Sequence, residues 1–150
     1  MLSIQIYLNQ NLNMYNFLFS AHNIIRYILL VALVLALLNA FLKDRNKRSF
    51  SSVDNIINRT ALGFLHLQFL FGLLLYTHSP KVNFDAGFMK NPIIRYYTVE
   101  HIFIMLIAVV LFTIGVARTK RLPETKKHRS VWLFGLIAVA LISIGLLTLK

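Results

Sequence analysis

The sequence predicts an all-α fold, an integral membrane four-helix up-down bundle with the N-terminus and the C-terminus outside. Three observations carry this reading. Hydrophobic residues make up 57% of the 150-residue chain and mean hydropathy is +0.66, above what an ordinary water-soluble domain carries. Four apolar runs each approach the roughly 20 residues that an α-helix needs to cross a bilayer core. The charged residues fall almost wholly between those runs.

The chain opens with residues 1–13, "MLSIQIYLNQNLN", which carry no charge and lack the basic start and small-residue cleavage site of a signal peptide. No cleavage is expected. Because Met14 begins a natural first span, "MYNFLFSAHNIIRY", residues 1–13 read as an over-extended start to a single transmembrane domain over 14–150. The first span is expected over about 20–42, where "YILLVALVLALLNAFL" has no polar face of the kind a soluble helix shows to water. The second is expected over about 59–78, the third over about 97–117 and the fourth over about 130–149. All four are rich in Leu, Ala and Phe and far longer than a barrel strand requires.

The linkers carry the charge. Sixteen Lys and Arg against five Asp and Glu give +11, and the basic residues concentrate in "KDRNKRSFSSVDNIINR" and "RTKRLPETKKHR". By the positive-inside rule these two loops face the cytoplasm, which puts both termini and the "SPKVNFDAGFMKNPIIR" loop outside. Such stretches read as topology signals and attraction to anionic lipid, not as a nucleic-acid surface. The absence of cysteine excludes disulfides, thiolate metal sites and iron–sulfur clusters.

Depth then gives the histidines meaning. Counting each span from its basic end at about 1.5 Å per residue, the outer boundary falls near His22 on the first helix and His78 on the second. On the third it lies about one turn before His101. Arg26, one turn from His22 on nearly the same face, shares that level. An arginine facing lipid costs about 2.5–3.5 kcal/mol even on insertion scales, so Arg26 is expected to face the bundle and an anionic partner. Glu100 is one candidate partner, and a cofactor carboxylate is the other. Glu100 alternatively pairs with Arg95, or stays alone in the favourable first turn of its helix.

Opposed histidines in a membrane bundle are the arrangement that holds a b-type haem, with two imidazoles as axial ligands and surface arginines beside the propionates. His22 and His101, on diagonal helices, are the expected axial pair. Arg26 and Arg95 are the expected propionate partners. His66 stands apart, about 10 Å in from the basic side. His128 reads as a solvated loop residue. Gln68 near mid-membrane reads as packing glue, and Gly63 and Gly72 as helix-packing positions. Ala108 and Gly115, at heptad spacing after His101, leave room for a flat macrocycle or for a close helix.

Together "SAHNIIRYILLVALV", "RTALGFLHLQFLFGLLLYTHSPKV" and "IIRYYTVEHIFIMLIAVVLFTIGVARTK" resemble a family of small bacterial four-helix membrane proteins labelled cytochrome b. The resemblance covers most of the chain from Met14 onward. It implies haem b binding and membrane electron transfer in the bacterial cytoplasmic (inner) membrane, with His22, His66 and His101 as candidate ligands. A quinol or a larger respiratory or other membrane complex is the expected partner, and the protein would be an electron-transfer subunit, not a stand-alone enzyme. Two other classes stay open: a cofactor-free assembly or scaffold subunit, and a divalent-metal site built from His22, His78 and His101.

Overall fold

In the computed structural model, which describes residues 2–147 and side chains from residue 9 onward, the chain is all-helical, with no strand among the described residues. Four long helices follow in order: α1 (Leu2–Arg45), α2 (Ser52–His78), α3 (Pro92–Lys120) and α4 (Glu124–Leu147). Each is long and apolar enough to cross a membrane, so the protein is a multi-pass membrane protein. α1 packs against α2 and α4, and α3 against α4 and α2. That leaves α1 opposite α3, and α2 opposite α4, across the bundle.

The expected spans sit inside these helices, but the first is much longer than expected. At about 1.5 Å per residue α1 measures about 66 Å, more than twice a bilayer core. It runs through residues 13 and 14 without a break. The last residues expected in the fourth span, 148 and 149, lie outside the described residues.

Local chemistry sets the helix boundaries. Lys43 and Arg45 close α1, where cations favour the carbonyl end of a helix. Ser51 caps α2 through a reciprocal box with Asp54, each side chain accepting from the other's backbone N–H. The Asn91 side chain accepts from the N–H groups of Ile93 and Ile94, and Pro92 follows at the first helical position, which starts α3.

The core runs along the inner faces of all four helices through Leu33, Ala36 and Ala40, Ala61 and Leu65, Ala108 and Phe112, and Val131 and Ala138. Small residues let α4 come close. A Cβ at Gly135 would stand 2.4 Å from a Leu37 methyl, and one at Gly115 would stand 2.6 Å from the Cβ of Phe134. Of the two uses foreseen for Gly115, a close helix is therefore the one present. Large apolar side chains such as Val31, Leu70, Ile107 and Leu136 cover the outside, compatible with contact to lipid.

Polar staples hold the basic end. Asp54, fully buried, accepts from Lys43 Nζ at 2.6 Å and from Asn39 Nδ2 at 2.7 Å, tying α2 to α1. The Trp132 indole donates to Asp44 at 2.8 Å, tying α4 to α1. His128 corrects the sequence reading. Because α4 already begins at Glu124, His128 lies on a helix, only 2% exposed, with the Phe50 ring 5.0 Å away.

Candidate functional site

At the end of the bundle away from the basic loops the helices part around a cavity of about 610 Å³. Its wall takes residues from all four helices and from the loop after α2. Along α3 it extends from Tyr97 to Val109, roughly 18 Å of helix. Most of the lining is apolar, from Leu29, Leu30, Leu65, Phe69, Ile102, Met105, Ile142 and Leu146. The polar exceptions include His22, Asn23, Arg26, Gln68, Tyr76, Lys81, Tyr97 and His101. No Asp or Glu is among the lining residues.

His101 owes its position to an irregular turn. Residues Tyr96–Glu100 are wound as a π-helix, and the His101 N–H reaches back five residues to the carbonyl of Tyr96. Five residues span about 140° around a regular helix, and the wider π turn closes that angle enough for the two side chains to meet. The Tyr76 hydroxyl donates to the Thr98 carbonyl at 2.8 Å, supplying a donor where the regular ladder is interrupted. The Tyr96 oxygen then lies 3.0 Å from His101 Nδ1 and also hydrogen bonds the Gly145 carbonyl on α4.

This geometry assigns the tautomer. A phenol has one proton, and a carbonyl can only accept, so the Tyr96 proton goes to Gly145. The Tyr96 oxygen must accept from His101, which places the imidazole proton on Nδ1 and leaves Nε2 with a free lone pair.

His22 stands across the bundle on α1. Its Nε2 lies 3.0 Å from the amide nitrogen of Gln68, and an amide N–H donates, so this Nε2 is also the bare nitrogen. The ring rests against α2, where a Cβ at Gly72 would come within 3.1 Å of its Cε1. Gly72 is thus the seat of an imidazole, not a plain helix-packing position. His22 Nδ1 and Gln68 Oε1 are buried without a hydrogen-bond partner among the described residues.

The cations are arranged differently from expectation. Arg26 does line the cavity, but it makes no ion pair among the described residues; its guanidinium donates to the Tyr27 hydroxyl at 3.3 Å. Glu100 pairs with Arg95 at 2.5 Å, and neither lines the cavity. Arg95 is therefore drawn away from the position expected of it. Lys81, not singled out in the sequence, takes up a place on the wall and donates to Tyr97 at 3.4 Å.

The other two histidines lie elsewhere. His66 is exposed on the outer side of α2 and bonds Thr113 of α3 at 3.0 Å. Since the Thr113 hydroxyl donates to Val109, His66 Nε2 is the donor, and the pair works as an interhelical hydrogen bond. His78 is exposed and turned back on its own helix, 2.9 Å from the Leu74 carbonyl and from the Thr77 hydroxyl. The three-histidine metal site of His22, His78 and His101 is therefore not formed. Among the described residues no group of three or more His, Cys, Asp or Glu side chains could hold a metal ion.

The donor set suits a haem in its components. Two imidazoles with bare Nε2 atoms come from opposed helices, the slot is mostly apolar, and two cations on its wall pair with no carboxylate among the described residues. Comparison of the chain with protein-family models, with curated proteins and with solved structures finds no match.

Proposed function

We propose that this protein is a membrane-bound b-type haem protein for one-electron transfer, with His22 and His101 as axial ligands of one haem b. The observation that carries this reading is the Tyr96 hydroxyl, set between His101 Nδ1 and the Gly145 carbonyl. Tyr96 holds the Nδ1 proton, so the nitrogen left bare is the one an iron takes in a histidine-ligated haem, and the cavity beside it is large and apolar.

Haem supplies a one-electron iron couple when bound. The chain's own residues then have separate tasks. His101 offers Nε2, with its ring fixed by Tyr96. His22 offers the second nitrogen from α1. Arg26, as expected from the sequence, and Lys81, in place of the expected Arg95, would neutralise the propionates. The leucine and phenylalanine wall excludes water and lowers the local dielectric, which tunes the potential.

In this reading the basic end faces the cytoplasm, so the cavity opens toward the outer leaflet of a bacterial cytoplasmic membrane. A quinol or a larger respiratory or other membrane complex exchanges the electron, the protein acting as an electron-transfer subunit. His66 holds α2 to α3 and ligates nothing.

The test is haem content. Protein purified in detergent after expression with ample haem should carry about one haem per chain. His101→Ala and His22→Ala should each lower that severalfold while circular dichroism stays helical. Full haem retention in both variants would overturn the assignment.

A further inference from the structure

We infer that Gln68 and Gly72 form a latch on α2 that holds the His22 ring and caps the bare nitrogen it would offer to a ligand. The inference rests on the reading of His22 as an axial ligand and adds a control element to it. Three observations carry it. Gln68 and Gly72 are four residues apart and thus share one face of α2. The amide of Gln68 donates to His22 Nε2 at 3.0 Å, covering the lone pair that a metal would take. The Cε1 and Nδ1 edge of the same ring lies over Gly72, 3.1 and 3.6 Å from where a Cβ would stand. The nitrogen edge of His22 is therefore turned toward α2.

The arrangement is only partly satisfied. His22 Nδ1 and Gln68 Oε1 are both buried, and neither has a partner among the described residues. A permanent polar staple pairs its buried atoms, as Asp54 does with Lys43, Asn39 and Ser51. The contact between Gln68 and His22 is instead a single hydrogen bond. Ligand binding must break it, and the ligand's apparent affinity falls by the fraction of protein in which His22 is released.

This gives a result opposite to that of ordinary damage. Gln68→Leu removes the cap, and Gly72→Ala crowds the ring, which must give way from α2 by a few tenths of an ångström, while improving helix propensity. Gln68→Leu should tighten binding of haemin by about three- to tenfold, the worth of one hydrogen bond, and Gly72→Ala should tighten it by a smaller factor.

The test has two readouts. Haemin is titrated into ligand-free wild type, Gln68→Leu and Gly72→Ala, and the nitrogen shifts of ¹⁵N-labelled His22 are followed without haemin. Tighter binding in both variants, with a moved His22 Nε2 resonance in Gln68→Leu, supports the latch. Unchanged or weaker binding in variants that remain helical overturns it, as does a His22 resonance indifferent to Gln68→Leu. If no protein binds haemin, the haem reading fails, and the resonance alone decides whether Gln68 caps His22.

Discussion

The hydroxyl of Tyr96 carries one proton, and its destination decides what His101 can do. Because the proton goes to Gly145, the oxygen accepts from His101, and one phenol fixes both a tautomer and a contact between α3 and α4. Tyr96→Phe should strand the buried Gly145 carbonyl and the His101 N–H together, costing about 1–3 kcal/mol in reversible unfolding in detergent. An unchanged stability would show that neither bond is kept. His22, His101 and Arg26 were legible in the sequence because helical rise alone places them at one level. Lys81 was not, because it lies in a loop whose path no periodicity specifies. The pairing of Arg95 with Glu100 was one of several open choices, and only the geometry of the π turn selects it.

At the scale of elements, α1 and α2 are joined at the basic end by one carboxylate. Asp54 is fully buried while Lys43 keeps 30% exposure, so Asp54→Ala should cost about 3 kcal/mol, the low end for breaking a buried pair. A loss below 1 kcal/mol would mean that solvent replaces the carboxylate at Lys43 and Asn39. The glycines give a sharper contrast. Gly135→Ala forces a methyl toward Leu37 and Phe112 and should destabilise by about 1–3 kcal/mol. Gly63→Ala meets nothing within 4 Å and should be neutral or stabilising by up to about 1 kcal/mol. Thermal unfolding of the two variants side by side checks the order, and a more stable Gly135→Ala would contradict the close approach of α4. The four helices were legible from apolar run length. The π turn was not, since "YYTVE" continues an ordinary helical pattern and its irregularity comes from tertiary partners such as Tyr76. The full extent of α1 was also hidden, because its uncharged opening reads as an over-extended start apart from the first span.

For the whole molecule, a multi-pass bundle with its two basic loops at one end and its cavity at the other divides its work by depth. Asp54, Asp44 and Trp132 bind the helices at the basic end. The opposite end is left open around His22 and His101. The proposed orientation has a direct check, since the chain has no cysteine of its own. Lys47→Cys should resist a membrane-impermeant maleimide in intact cells, and Asp85→Cys should react. The reverse pattern would put the cavity on the cytoplasmic side. The central claim is that this open end holds one haem b between His22 and His101, and the most direct measurement is an optical spectrum of the detergent-purified protein, oxidised and then reduced with dithionite, with extracted haem quantified against protein. The account predicts a sharp reduced α-band at about one haem per chain, lost in His101→Ala. A featureless spectrum from folded protein made with ample haem would contradict it.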